Sequence, residues 1–180
     1  MRNLLYVLRI AGILLLICGV MTGLLAAVNA KTADVIEENK RAKLEETVRS
    51  FFGEKASSKE TDAFPLTGEV SGVRLVNADG SNVGYAVSVT EKGFGGEITM
   101  LVGVTLDGKV KGVALLSHSE TPGLGARAGE EPFLSQFAGR SGKLAVKENV
   151  DAVSGATISS KAVTAGVNAA LAAIGGEGAQ

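Results

Sequence analysis

At 180 residues the chain has room for one membrane segment and one modest domain. Lys and Arg (18) nearly balance Asp and Glu (19), which excludes the basic footprint of a nucleic-acid binder. There is no Trp and 4% of residues are aromatic, so a core must come from Val, Leu, Ile and Ala; the one cysteine, Cys18, excludes an internal disulfide and suggests no metal cluster.

Ile10–Val28 is an uncharged apolar run of nineteen residues. As a helix it crosses a hydrocarbon core of about 30 Å. Arg2, Arg9 and the amino terminus precede it, which favours a cytoplasmic N-terminus. Lys31, Lys40, Arg41 and Lys43 argue the other way, and the interleaved Asp34, Glu37 and Glu38 count little. A signal peptide cleaved after Val28-Asn29-Ala30 is the competing reading, but the run is longer than a usual signal core, which favours a permanent anchor. Cys18 lies inside the run, as a candidate lipidation site or ligand or simply as a small apolar residue.

Lys31–Phe52 reads as a charged helix leaving the membrane, with Ile36, Leu44, Val48 and Phe51 or Phe52 forming a partial apolar stripe. Gly53–Thr67 is polar and reads as a connection. The chain therefore divides into residues 1–30 (N-terminus and transmembrane helix), 31–67 (helix and connection) and 68–180 (globular domain).

Strands are expected at Val70–Val76, Val83–Thr90, Ile98–Leu106 and Val110–Leu116. Asp79-Gly80 marks a turn, Glu91–Gly96 a flexible one, and Asp107-Gly108 a two-residue hairpin. His118–Gly129 reads as a loop, Pro132–Phe137 as a short helix and Leu144–Val146 as an edge strand. Ser154, Gly155 and Ala156 then make a loop without bulk, and Val163, Val167, Ala170, Leu171 and Ile174 recur at helical spacing until Gly175-Gly176. An antiparallel meander followed by a packed helix is an α+β arrangement.

Thr157 falls at or just before the start of that last helix. The unpaired N–H groups and partial positive charge there suit a phosphate, and Lys161 offers a cation one turn on. An ordinary helix cap explains Thr157 as well. His118 is the only histidine, which is usually a structural or solvated residue; with no Gly-x-Ser-x-Gly elbow, a hydrolase built on His118, Asp151 and Ser154 is disfavoured. Gly123-x-Gly125 lacks the setting of a dinucleotide fingerprint.

Asp151-x-x-Ser154-Gly155-Ala156-Thr157 with a helix behind it resembles the flavinylation motif of the FMN-binding domain family. His118-Ser-Glu-Thr-Pro-Gly-Leu-Gly125 is similar to a second segment of that family, and both stand in the family's order. With the apolar N-terminal run they resemble the G subunits of Rnf-type electron-transport complexes, to which the C subunits of sodium-pumping NADH:quinone reductases are related.

The resemblance implies an α+β FMN-binding domain behind one transmembrane helix. FMN would be joined through its phosphate to the Thr157 hydroxyl, with Ser154, Gly155, Ala156 and Lys161 around it. His118, Glu120, Thr121, Pro122, Gly123, Leu124 and Gly125 would lie beside the ring, the glycines letting backbone approach its plane. A surface loop with a Pro-Gly turn is the plain alternative. Gly93–Gly96 is a weaker candidate for the same role, a hairpin loop being the alternative, as is Tyr85 against a half-buried sheet tyrosine. Asp151 would serve recognition by the flavin transferase that installs FMN from FAD with Mg²⁺. No metal ligands and no catalytic residue are expected.

By the same resemblance the chain is an electron carrier in an oxidoreductase that moves electrons between ferredoxin and NAD and transports Na⁺ or H⁺. Its partners would be other complex subunits, the flavin transferase and membrane lipid. The FMN domain would stand on the outer face of the cytoplasmic membrane. The C subunit of a quinone reductase, another anchored FMN protein and a non-redox interaction module are the alternatives.

Overall fold

The structure, a computed structural model, describes residues 2–64, 66 and 68–175, with side chains from Val7 onward. Gly176, half of the expected helix stop, and Thr67, the end of the expected connection, lie outside the described residues. The chain forms two units that divide between Ala42 and Lys43.

In the first unit, helix α1 (Arg2–Phe52) begins and carries the apolar run. It holds an 18-residue window of mean hydropathy 2.5, and its side chains are exposed from Val7 to Ala42. Ile10–Val28 alone spans about 28 Å at 1.5 Å per residue, so the helix is long and apolar enough to cross a membrane.

In the second unit, the last turns of α1 belong to the globular fold. A five-stranded antiparallel sheet follows in the order β1-β2-β3-β4-β5 (Ser57–Glu60, Val70–Ala78, Ser81–Lys92, Glu97–Thr105, Val110–His118). All four expected strands are present. Alternation along β4 explains its apolar run: Ile98, Met100, Val102 and Val104 join the core on one face, while Leu101 joins a second core on the other. The first core is completed by Phe133, Phe137, Val163, Val167 and Ala170. The second is closed by Val48, Ala56, Leu44, Phe51 and Phe52. A Cβ at Gly103 or Gly112 would come within 2.9 or 2.7 Å of the Phe51 ring, and one at Gly84 within 2.8 Å of Phe52. Three glycines on adjacent strands thus form the seat of two phenylalanines.

Asp79-Gly80 is a two-residue hairpin, with Ala78 opposite Ser81 and φ of 49° and 81° at the tip. Asp107-Gly108 differs from expectation. Thr105 N–H donates to Lys109 O (2.8 Å), Gly108 N–H to Thr105 O (3.0 Å), and Gly108 has φ 74°. That is a three-residue loop closed by a glycine bulge.

Two other expectations change. The supposed connection contains edge strand β1, paired to β2 from Ser57↔Asn77 to Glu60↔Arg74. Its polar sequence hides it; Arg74 Nε donates to Ser58 Oγ (2.7 Å) and Ser58 Oγ to Glu45 Oε1 (2.6 Å), fixing it by side-chain bonds instead of apolar alternation. Leu144–Val146 joins no sheet and makes only the bridge Val146↔Val150. Asn168 takes its backbone groups, accepting from Leu144 N–H (2.9 Å) and donating to Leu144 O (2.7 Å).

Past β5, the chain makes a 3-10 turn at Gly125–Gly129, short helix α2 (Glu131–Leu134), a further 3-10 turn at Ser135–Phe137, and helix α3 (Thr157–Gly175). The expected Pro132–Phe137 helix is therefore split. Gly166 of α3 lets the helix lie on the sheet: a Cβ there would sit 2.7 Å from Met100 Sδ.

Candidate functional site

Three distant segments meet at the start of α3. The β3–β4 turn (Gly93–Gly96), the loop after β5 (Glu120–Gly125) and the α3 entry (Gly155–Ser159) line one cavity of about 330 Å³. That volume falls within the usual range for small-molecule sites, about 300–1,000 Å³.

Each segment is fixed by its local chemistry. Lys92 pairs with Glu97 and Gly93 N–H donates to Gly96 O (2.8 Å), which closes the β3–β4 hairpin and turns Phe94 outward. Thr121 O accepts from Leu124 and Ala126 N–H (both 3.2 Å), which curls the second segment. The third is held by Ser160, whose Oγ accepts from Val153 N–H (3.0 Å) and donates to Ala156 O (2.9 Å). Gly155, with φ 78°, turns the chain into the helix.

Thr157 is the first residue of α3 and is half-buried. Among the described residues, no hydrogen-bond partner is present for the N–H groups of Thr157, Ile158 and Ser159, and the first helical bond of the turn runs from Ser160 N–H to Ala156 O. The cavity wall therefore includes a hydroxyl-bearing residue, free backbone donors and the positive end of a 19-residue helix. The lining also carries three exposed apolar side chains: Phe94 is 73% exposed, Ile158 53% and Leu124 50%. Free donors at a helix start, together with three exposed apolar side chains on the same cavity, would suit a phosphate-bearing planar cofactor such as FMN.

Glu120 joins the three segments. It is 5% exposed. Its Oε1 accepts from Phe94 N–H (2.8 Å) and Gly95 N–H (3.1 Å), and its Oε2 from Ser159 Oγ (2.7 Å). Burial pushes its carboxyl up, but the bonds from Ser159, Gly95 and Phe94, with His118 nearby, outweigh this and hold it below the ordinary 4.5.

The remaining sequence candidates are spread out. Thr121, Leu124, Gly125, Gly155 and Ala156 line the cavity; Pro122 and Gly123 are exposed beside it. Lys161 is exposed and lies off its wall. His118, at the end of β5, lines a neighbouring cavity with Lys43, Ser117 and Glu130, and its Nδ1 accepts from Glu120 N–H (3.3 Å). Ser154 and Asp151 line a third cavity with Arg127 and Gln136. Gln136 grips the Asp151 backbone, accepting from its N–H (2.8 Å) and donating to its carbonyl (3.2 Å), and leaves the Asp151 carboxylate exposed. Tyr85 stacks edge-on against Phe64, centroids 5.1 Å apart, about 23 Å along β3 from Lys92.

The glycines of the Glu120–Gly125 loop have reasons within the protein itself. A Cβ on Gly125 would collide with Glu120 Oε2 and lie 2.8 Å from Ser159 Oγ. Gly123 faces open space and is required by its φ of 76°. Gly93 also makes room for the Glu120 carboxylate. The Gly93–Gly96 turn, the weaker candidate of the sequence, brings Phe94 to the cavity; sequence reasoning missed Ile158 and Ser159 as cavity residues, and no pattern in the sequence marks them.

The chain is similar to several known proteins. Residues 93–172 match the FMN-binding domain family, and residues 5–50 match the RnfG N-terminal region. The chain is 32% identical over 187 residues to the G subunit of the Na(+)-translocating ferredoxin:NAD(+) oxidoreductase complex of Acetobacterium woodii, covering 92% of this chain and 90% of that one. It is 46% identical over 96 residues to the G subunit of the proton-translocating ferredoxin:NAD(+) oxidoreductase complex of Clostridium ljungdahlii, covering 49% of this chain and 52% of that one. The latter match spans about half the relative's length. Among solved structures, NqrC of Shewanella oneidensis superposes with a TM-score of 0.56 at 22% identity, covering 76% of this chain and 94% of that one, which is a likeness of fold.

Proposed function

The chain belongs to the family of G subunits of ion-translocating oxidoreductase complexes, and from that premise we propose that it is a membrane-anchored flavoprotein holding FMN on Thr157 by a phosphoester bond. It relays electrons within a complex that works between ferredoxin and NAD and moves Na⁺ or H⁺. The observation that carries this reading is the meeting of Phe94, Glu120–Gly125 and Thr157 on one cavity.

FMN supplies, when bound, the ability to exchange one or two electrons. The chain's residues do the rest. The Thr157 hydroxyl is the attachment point, and the free N–H groups of the first α3 turn stand against phosphate charge. Phe94, Leu124 and Ile158 present apolar surface and exclude water from one side. Thr121, on the cavity wall, and nearby backbone donors would hydrogen-bond the ring's polar edge, which is how a protein tunes a flavin's potential. Covalent attachment keeps the cofactor from being lost by dilution and makes its recapture intramolecular. The exposed Asp151 serves recognition by the flavin transferase.

The ferredoxin and NAD sites belong to other subunits. The N-terminus is cytoplasmic and the FMN domain lies on the outer face of the cytoplasmic membrane, with α1 in contact with lipid.

Denatured protein run on a gel tests the attachment. The wild-type band should fluoresce as flavin, Thr157→Ala should be dark, and Thr157→Ser should keep part of the signal. A fluorescent Thr157→Ala band would refute it.

A further inference from the structure

We propose that Glu120 is a positioning residue rather than a direct ligand: its two carboxylate oxygens clamp the Phe94 turn and the first turn of α3 at a fixed separation, and its negative charge sets the electrostatic environment of the cavity. This deepens the proposed flavin reading and rests on it.

Among the described residues, every hydrogen bond between the three cavity segments ends on this carboxylate. Oε1 holds the backbone of Phe94 and Gly95, and Oε2 holds Ser159. The segments lie 26 and 39 residues from Glu120 in sequence, so no local turn substitutes for the clamp. Gly93 and Gly125 both lack the side chain that would displace it. Glu120 also borders the cavity, but it is 5% exposed with both oxygens already engaged, so it acts through Phe94 and Ser159 on the same wall.

A buried carboxylate with three donors is held ionised. The titratable side chain nearest to it is His118, from the end of β5, whose Nδ1 accepts from Glu120 N–H. A negative charge beside a redox group opposes its reduction, because reduction brings further negative charge.

The test uses the full-length protein in detergent. Amide hydrogen exchange is first read in the Thr157→Ala background, where no tether is present. Adding Glu120→Ala should raise exchange at Phe94 and Gly95 at least tenfold, while Val89 and Leu101 in the sheet keep their protection. If Glu120→Ala fails to fold, Glu120→Asp, whose carboxylate stops one methylene short, is read in the same way. Unchanged exchange at Phe94 and Gly95 would overturn the clamp.

The flavin-bearing protein is then titrated. Glu120→Gln keeps the shape and removes the charge; it should retain the fluorescent band and shift the oxidised-to-reduced equilibrium about tenfold toward reduced, about 30 mV upward for two electrons. An unchanged midpoint and absorption spectrum would overturn the electrostatic role. Wild-type protein without flavin would instead refute the proposed function, and the exchange result would still decide the clamp.

Discussion

Gly123 and Gly125 stand two residues apart and are glycine for different reasons. At Gly123 the backbone is left-handed and the space beyond is open. Gly123→Ala should cost about 1–2 kcal/mol from conformation alone and leave the flavin spectrum unchanged. At Gly125 the conflict is with Glu120 and Ser159. Gly125→Ala should cost about 1–3 kcal/mol by overpacking and also perturb the spectrum. Thermal unfolding and visible absorption of the two variants check this. Glu120 adds a pH dependence. Its carboxyl is held below 4.5 in the folded protein, so its contribution is fully present above that value and is lost as pH falls through the folded value. Acid unfolding of Glu120→Gln should therefore be less steep below about pH 4.5 than that of the parent. Equal slopes in the two titrations would contradict the assignment. At this scale the place of Thr157 at the start of a helix was legible in the sequence, because the loop before it is contiguous and the apolar period behind it is helical. Ser159 was not, because what defines it is adjacency in space to a glutamate far away in the chain.

At the scale of elements, the sheet is covered on both faces, and each cover depends on glycine. α3 lies on Met100 through Gly166, and the end of α1 seats Phe51 and Phe52 over Gly84, Gly103 and Gly112. Gly103→Val should unseat the phenylalanines and lower stability by about 1–3 kcal/mol without darkening the flavin band, since the cavity segments are held from the opposite face. Denaturant unfolding followed beside in-gel fluorescence separates the two effects. The strands β2–β5 were legible from apolar runs and Asp-Gly turns. β1 was not, because its four polar residues carry no alternation and are held by Arg74 and Glu45. Leu144–Val146 misled for the converse reason: an apolar triplet reads as a strand, but Asn168 takes the Leu144 backbone groups and Asn149 the Ala145 N–H.

At the scale of the whole molecule, the apolar run on α1 precedes a separate compact unit from Lys43 onward. Arg2 and Arg9 ahead of the run predict export of that unit. A C-terminal reporter active only outside the cytoplasm should be active on the full chain, and a reporter active only inside should be silent; the reverse pattern would invert the topology. The central claim is narrower and rests on one bond. The most direct measurement is the intact mass of the full-length 18.3 kDa protein purified from cells that hold the flavin transferase, followed by fragmentation to locate any added group. The account predicts one FMN per chain, on Thr157. An unmodified chain, or FMN on any other residue, would contradict it.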